Sequence, residues 1–337
     1  MVLAVRVLAK NAEKIKKLLV KKGLFSKNYR IKKDKKYVYF PVCKKARIKG
    51  AAITDIKLDK ITKAKTLEEA LENKLTKKQL RLLPSAYDII GDIAVVEIKK
   101  GLGKKERLIG EALLELHKNL KVVVKKAGIH EGEFRLQKMK VIAGEKRKET
   151  VHKESGAKLK LDIEKVYFSE RLGSERLRIA KQILTGESVL VMFSGCAPYA
   201  IVISKNSGAR EIVGIEKNPV AHHYGLINVK LNKAKNVKLI KGDVRKVVPK
   251  LNIKFDRIIM PLPKSAEDFL EYALMAAKKG TIIHFYDFVS EKDFPEKSIG
   301  KISKKIRNFT VAKAVKCGQY SPGKYRVCVD FEVLGSR

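Results

Sequence analysis

The sequence has few cysteines, no long apolar run and no recognisable leader. Its four cysteines, at 43, 196, 317 and 328, show no CxxC spacing, so the pattern indicates neither a zinc site nor a disulfide framework, and we expect free thiols. No apolar run reaches the roughly 20 residues that span a bilayer, and the first residues lack the apolar region and cleavage site of a signal peptide. We therefore expect a cytoplasmic protein with no membrane partner and no metal.

Acidic residues are scarce relative to basic ones. The 337 residues contain 75 Lys and Arg against 36 Asp and Glu, which leaves a formal net charge of +39. Such an excess favours a polyanionic partner, and nucleic acid is the candidate because each neutralised phosphate releases condensed counterions. A lysine-rich composition with merely solvated basic faces remains the alternative.

Periodicity divides the chain into four predicted regions. A strand, helix and strand in VLAVRVL, AEKIKKLLVKK and YVYFPV indicate a small module at 1–58, with Asn11 capping the helix and Gly23 ending it. The chain then becomes basic and poor in large apolar residues, and we place a linker at 59–75. A mixed α/β domain at 76–165 includes a Gly-Asp hairpin or bulge signal in YDIIGDIAVVEI.

The fourth region, 166–337, alternates strands and helices. This rhythm predicts an α/β fold with a mostly parallel, Rossmann-like sheet and helices on both sides. The strands are SVLVMF, EIVGIE, NVKLIKGD, FDRIIMPL and TIIHFYDF, and a final hairpin, TVAKAVKCGQY and KYRVCVDFEV, adds antiparallel strands.

Three successive strand ends carry candidate cofactor residues. The turn FSGCAPYAIV (193–202) has one glycine, Gly195, and the next two strands end on Glu216 and Asp243. Ligands of such sheets lie at the carboxyl ends of the strands, where Glu216 could accept from ribose hydroxyls and Asp243 from an adenine amine. Each acid alone could be a helix cap. Since GxxxxGK[ST] is absent, a triphosphate is disfavoured and S-adenosylmethionine is the expected ligand.

Other candidates lie near this edge. The fourth strand ends in MPLPK, whose two prolines leave backbone carbonyls free to face a planar substrate. Upstream, Arg171 and Glu175 are four residues apart and could point into one cleft, although a structural ion pair is the simpler interpretation. Arg135 lies in a strand-like setting in HEGEFRLQKM.

These motifs carry a resemblance. Six segments of the chain are similar, in order, to motifs of the archaeal and eukaryotic tRNA guanine-N1 methyltransferases: EGEFR, YFSERLGSERLRIA, VMFSGCAPYAI, VGIEKNP, KGDVR and MPLPK. Enzymes of that family modify guanosine 37, immediately 3′ of the anticodon. The resemblance implies a class I S-adenosylmethionine-dependent domain, a monomer, and an N-terminal module that contacts the outer corner of tRNA. It implies Glu175 as general base and Arg135 at the guanine O6. The implied cofactor site comprises Arg176, Phe193, Ser194, Gly195, Pro198, Glu216, Lys217, Asp243 and Val244.

The chain departs from the family pattern at three positions. Val191 stands where many relatives have an acid, Ala197 replaces a glycine, and Pro261 stands where others carry an asparagine. A backbone carbonyl of Met260 or Pro261 is the expected substitute for that asparagine. Two other functions stay open: an aminocarboxypropyl transferase of the wybutosine pathway, and a catalytically silent tRNA-binding protein.

Overall fold

The computed structural model describes residues 1–26, 28–60, 66–129 and 131–335. They form two compact units, Met1–Lys74 and Leu75–Arg337. Within the described ranges, none of the helices combines the length and apolar character that a membrane crossing requires.

The first unit is a four-stranded antiparallel sheet, in the order β2-β3-β1-β4, with one helix packed on it. Its elements are β1 (Val2–Leu8), α1 (Ala12–Lys21), β2 (Lys32–Lys33), β3 (Tyr37–Pro41), β4 (Ala52–Ile56) and α2 (Leu67–Leu71). Ile15 and Leu19 of α1 share a core with Val5 and Val7 of β1. This core gives the first unit a packed interior of its own.

Details of the first unit differ from the sequence predictions. Gly23 follows α1 with a φ of +64°, as expected for a glycine that ends a helix. Asn11 precedes α1, but in the described structure its side chain makes no capping hydrogen bond, so that prediction is wrong. Strand β4 was not predicted, because it is mostly exposed and pairs with β1 through its backbone. The predicted linker contains α2, and residues 61–65 lie outside the described ones.

The second unit begins with a four-stranded sheet in the order β5-β6-β7-β8 and a two-stranded ribbon, β9-β10. The Gly-Asp signal is a hairpin turn, since Ile90 pairs directly with Ile93. The elements are α3 (Lys77–Leu80), β5 (Asp88–Ile90), β6 (Ile93–Val96), α4 (Glu106–Leu116), β7 (Val122–Lys126), β8 (Met139–Gly144), β9 (Glu149–Glu154) and β10 (Ala157–Asp162).

A seven-stranded sheet in the order β13-β12-β11-β14-β15-β17-β16 completes the second unit. The first five strands are parallel, and β17 and β16 add the antiparallel hairpin, as predicted. The elements are α5 (Gly173–Ala180), β11 (Ser188–Met192), α6 (Pro198–Asn206), β12 (Glu211–Glu216), α7 (Pro219–Leu231), β13 (Val237–Lys241), α8 (Val244–Val247), β14 (Phe255–Met260), α9 (Leu270–Met275), β15 (Ala277–Ser290), α10 (Glu296–Ser303), β16 (Phe309–Ser321) and β17 (Lys324–Val333).

The central strand β11 shows why this sheet is buried on both faces. Val189 and Val191 belong to one apolar core, and Leu190 and Met192 belong to the other, because alternate side chains of a strand point to opposite faces. Strands β12 and β14 flank β11 on its two sides. Connections therefore diverge at β11 and open a crevice at the carboxyl ends of the strands.

The β9-β10 ribbon joins the two sheets of the second unit. Asn228 of α7 bonds the backbone N–H and carbonyl of Lys160 at 2.7 and 3.0 Å, and Asn232 does the same with Lys158. Leu159 packs in the core of the seven-stranded sheet, whereas Leu161 packs with β5, β6 and β7. The packing is thus continuous across the boundary that we placed between 165 and 166.

Candidate active site

A cleft of about 680 Å³ opens at the carboxyl ends of β11, β12, β13 and β14, within the size range of small-molecule sites. It gathers Arg135 and Pro261 with every residue of the expected cofactor set: Arg176, Phe193, Ser194, Gly195, Pro198, Glu216, Lys217, Asp243 and Val244. Glu175 and Arg171 are not among the described residues that line it.

The turn after β11 has a strained backbone. Phe193, Gly195 and Ala197 have φ values of +58°, +58° and +67°, in the left-handed region that favours glycine. The Ser194 N–H donates to the Ile215 carbonyl at 2.8 Å, which ties the turn to β12, and Pro198 begins α6. Among the described residues, the buried Ser194 hydroxyl has no hydrogen-bond partner. Strained backbone and an unpaired buried hydroxyl at one turn are typical of a ligand site.

Glu216 is held in place by backbone donors. The N–H groups of Gly195 and Asn218 donate to its two carboxylate oxygens at 2.6 and 2.7 Å. Burial raises the pKa of Glu216 above its usual range, although these hydrogen bonds oppose the shift. Since each carboxylate oxygen can accept a second bond, a ribose diol fits here.

Asp243 caps the short helix α8 and also forms ion pairs. Its carboxylate accepts from the Arg245 backbone at 2.9 Å, from the Arg245 guanidinium at 2.7 and 3.0 Å, and lies 3.1 Å from the Lys217 ammonium. The hydrogen bonds from Arg245 hold the pKa of Asp243 well below its usual range. Lys217 also pairs with Glu133. The capping role that the sequence left open is therefore present, at the cleft wall.

Arg176 is almost fully buried, and its guanidinium is paired with groups of the protein itself. Its Nε and Nη2 donate to the two oxygens of Glu154 at 2.5 and 2.6 Å, and Nη2 also donates to the Ser169 carbonyl. The guanidinium lies over the rings of Phe168 and Tyr199. Arg176 thus links the β9-β10 ribbon to the floor of the cleft.

Glu175 and Arg171 do not share a cleft, and that expectation is wrong. Arg171 is largely exposed and binds Asp88 and Glu170. Glu175 is 5% exposed and accepts from Nε and Nη2 of Arg178 at 2.7 and 2.8 Å. The two side chains separate because Arg171 pairs with Asp88 of β5, whereas Glu175 pairs with Arg178 one turn further along its own helix.

A buried charge network extends from Glu175, and the sequence analysis missed it. Arg178 donates to Asp330 at 2.6 Å, Asp330 contacts His284 Nδ1 at 2.6 Å, and His284 Nε2 lies 3.0 Å from Arg257, which pairs with Glu187. A polar residue inside an apolar strand, as in TIIHFYDF and VCVDFEV, is the signal that could have revealed it. Cys328 also lies beside Asp330, but guanidinium groups occupy the acceptors that a metal would need.

Arg135 is not in a strand, contrary to expectation. It lies in a turn between the bridged residues Glu131 and Leu136 and has a φ of +52°. Its guanidinium lies 5.2 Å from the centre of the Tyr167 ring. Arg135, Tyr167 and Phe168 line both the large cleft and an adjoining cavity of about 80 Å³.

The strand end at Pro261 forms a tight turn. The Leu262 N–H donates to the Met260 carbonyl at 2.8 Å, which engages one of the two carbonyls expected to replace the family's asparagine. Pro261 through Ser265 line the cleft.

Several further cleft residues were not foreseen. Arg326 of β17 lines the cleft, and within the described part of the chain its buried Nε has no hydrogen-bond partner. Phe269 also lines the cleft and packs edge-to-face against the expected Phe193, with the ring centroids 4.8 Å apart. The cleft lining therefore combines polar groups, namely the Ser194 hydroxyl, Arg326 Nε and the Glu216 carboxylate, with the aromatic rings of Phe193 and Phe269. This combination fits the mixed polar and apolar surface of S-adenosylmethionine.

Family models match three parts of the chain. The model described as TRM5/TYW2 methyltransferase domain matches residues 150–313, TYW2 N-terminal domain matches 67–147, and tRNA methyltransferase 5 N-terminal domain matches 4–49.

Known proteins are similar over nearly the whole chain. The tRNA (guanine(37)-N(1))-methyltransferase Trm5b of Pyrococcus abyssi is 37% identical and is covered over 99% of both chains. A tRNA(Phe) (4-demethylwyosine(37)-C(7)) aminocarboxypropyltransferase of Pyrococcus horikoshii is 31% identical over 80% of this chain and 97% of its own length.

Solved structures extend the similarity to three dimensions. A complex of aTrm5 with tRNALeu has a TM-score of 0.79 and 33% identity and covers 98% of this chain and 99% of that one. Methanocaldococcus jannaschii Trm5 in complex with adenosine has a TM-score of 0.68 and 31% identity, with 99% of this chain and 100% of that chain covered.

Proposed function

Because this chain belongs to the TRM5/TYW2 methyltransferase family, we propose that it is an S-adenosylmethionine-dependent tRNA (guanine(37)-N1)-methyltransferase with Glu175 as its general base. The observation that carries the proposal is the single cleft in which Arg135 and Pro261 meet the whole expected cofactor set. Full-length similarity to a Trm5b enzyme supports the same activity.

The cofactor is held by the three strand ends. Glu216 accepts hydrogen bonds from the ribose hydroxyls. Asp243 accepts one from the adenine amine in exchange for one of its side-chain bonds to Arg245 or Lys217. The turn at Ser194 and Gly195 contributes polar groups to the same edge. When bound, S-adenosylmethionine supplies an activated methyl group. The protein contributes position and exclusion of water, and in-line alignment of reacting atoms can supply a large part of the rate.

Side chains of this protein remove the proton from guanine N1 and stabilise the charge that results. N1 carries a proton and is a poor nucleophile until that proton leaves, so a carboxylate base is required, and Glu175 takes this role. Negative charge that develops on O6 is stabilised by the Arg135 guanidinium. The backbone carbonyl of Pro261 accepts from the guanine edge in place of the family's asparagine side chain.

The proposed partner is tRNA, read by both units. A net charge of +39 suits phosphate contacts, and a family member binds tRNALeu in a structure similar to this one. The first unit contacts the outer corner of the tRNA, and the second unit binds the anticodon loop. The target base leaves its stack to enter the cleft, and unstacking a base costs less free energy in a loop than in a duplex. The enzyme acts as a monomer in the cytoplasm.

Aminocarboxypropyl transfer is the second candidate, because the TYW2 N-terminal model matches residues 67–147 and a relative with that activity is 31% identical. The product separates the two. Mass spectrometry of nucleosides from unmodified tRNA incubated with the protein and S-adenosylmethionine should give 1-methylguanosine. An adduct of aminocarboxypropyl mass, or no adduct, would contradict the proposal.

The base is tested by Glu175→Gln, which keeps the side-chain shape but cannot accept a proton at neutral pH. Single-turnover methylation should slow by about 10²–10⁴-fold, with tRNA and cofactor binding little changed. Glu111→Gln is the control, since Glu111 is exposed on α4 and pairs with Arg107 on the helix surface. A folded Glu175→Gln protein with a normal rate would assign Glu175 to the scaffold instead.

A further inference from the structure

Glu175, the proposed base, is separated from the cleft by a tyrosine. Tyr286 of β15 lines the cleft, and its hydroxyl donates to Oε1 of Glu175 at 2.6 Å. Both side chains are almost fully buried. The hydroxyl of Tyr286 therefore joins the cleft wall to the carboxylate behind it.

The carboxylate is not free to rotate towards the cleft. Nε of Arg178 donates to Oε2 and Nη2 donates to Oε1, so the pair is bidentate. Arg178 is in turn fixed by Asp330, which His284 also contacts. Rotation of Glu175 would break both of these bonds and leave the half-buried Arg178 guanidinium paired with Asp330 alone, which opposes the rotation.

We propose that the Tyr286 hydroxyl carries the guanine N1 proton to Glu175. This inference rests on the proposed function. In one concerted shift, the N1–H bond breaks as its proton joins the Tyr286 oxygen, and the Tyr286 O–H proton passes to Oε1 of Glu175. The N1 electron pair forms the bond to the methyl carbon, and the carbon–sulfur pair stays on sulfur. Tyr286 ends unchanged, Glu175 ends protonated, and the charges balance.

The surroundings of Tyr286 favour a concerted relay over a free phenolate. Burial raises the pKa of Tyr286 well above its usual range, so a tyrosinate does not accumulate. The Tyr199 hydroxyl donates to the Tyr286 oxygen at 2.9 Å, and this bond steadies the charge that passes through that oxygen. One lone pair of the phenol oxygen remains for the substrate proton.

A double-mutant cycle on the full chain tests the relay. Single-turnover rates with saturating tRNA and S-adenosylmethionine are measured for wild type, Tyr286→Phe, Glu175→Gln and the double variant. Tyr286→Phe should slow methylation by about 10²-fold or more, with both ligand affinities unchanged. The double variant should be no slower than the slower single variant, because both residues serve one proton path.

Tyr199→Phe is the matched control, since it removes an equally buried hydroxyl from the same pair but leaves the bond between Tyr286 and Glu175. It should slow the reaction by at most about tenfold. Thermal unfolding and cofactor titration establish that each variant is folded and loaded.

The outcomes separate the relay from the proposed function. Three results would overturn the relay while 1-methylguanosine is still formed. The first is a near-normal methylation rate for Tyr286→Phe, and the second is a double variant whose loss of rate is the product of the two single losses. The third is a slow methylation rate for Tyr286→Phe together with a normal rate for Glu175→Gln. Failure of the wild-type protein to form 1-methylguanosine would instead overturn the proposed function, and the relay with it.

Discussion

The backbone N–H of Gly195 donates to Oε2 of Glu216 across 2.6 Å, so the turn after β11 and the end of β12 form one rigid corner of the cleft. Asn218 completes the corner by donating to the other carboxylate oxygen. The carboxylate is thereby oriented before any ligand arrives, and little of its freedom is lost on binding.

Glu216→Gln should weaken S-adenosylmethionine binding by roughly 10- to 100-fold, because a charged hydrogen-bond acceptor is worth about 1.5–3 kcal/mol. Burial raises the pKa of Glu216, so the carboxyl protonates at a higher pH than an ordinary glutamate and wild-type affinity should already fall in mild acid. The variant should lack this pH dependence. Calorimetry across pH measures both effects, with Glu211→Gln, at the start of the same strand, as the control. Equal affinities at neutral pH would contradict the assignment.

Arg135→Ala should slow single-turnover methylation by about 10²–10³-fold, the usual loss when one donor to a developing oxyanion is removed. Cofactor affinity should not change, because the other cleft residues hold the cofactor. Arg107→Ala on the exposed face of α4 serves as the control. If only tRNA affinity fell and the chemical step kept its rate, Arg135 would be a phosphate contact.

Deletion of residues 1–74 should leave a folded second unit, since the core of the first unit is built from its own residues. Affinity for tRNA should fall, and the slope of log affinity against log salt should become shallower as phosphate contacts are lost. Filter binding at several salt concentrations measures this, and cofactor titration checks the fold. An unchanged salt slope would remove the first unit from tRNA recognition.

Asp330→Asn should destabilise the protein at neutral pH by about 1.5–3 kcal/mol, the usual contribution of hydrogen bonds to a charged group, because the buried Asp330 carboxylate accepts from both Arg178 and His284. Burial alone would raise the pKa of Asp330, but hydrogen bonds from His284 and Arg178 outweigh it and hold the pKa well below its usual range. A depressed pKa means that the stabilisation is complete above the unfolded value near 3.9 and is lost as pH falls through the folded one.

The stability difference between wild type and Asp330→Asn should therefore be constant from neutral pH to about pH 5 and narrow below about pH 4. Urea unfolding at each pH measures it, and Asp268→Asn on the cleft rim controls for a general charge effect. A difference that widened in acid would contradict the assigned ion pair.

The sequence by itself determined which segments form the strands of the large sheet, the antiparallel hairpin that closes it and the edge that holds the cofactor residues. Buried parallel strands appear in the sequence as apolar runs, and the carboxyl ends of parallel strands lie at the same edge of the sheet whatever side chains they carry. Turn FSGC, Glu216 and Asp243 could thus be placed together from three strand ends, and the cleft does gather them.

Only the tertiary structure decided what Glu175 faces. Arginines flank Glu175 within about one turn on each side: Arg171 lies in the short turn before α5, and Arg178 lies in α5 itself. Local spacing allows either as a partner. Asp88, 83 residues from Arg171, draws that arginine away, while Asp330, 152 residues from Arg178, holds the other against Glu175. Periodicity reports which face of an element is buried, but the pairing of buried charges depends on contacts between distant segments, which exist only once the chain has folded.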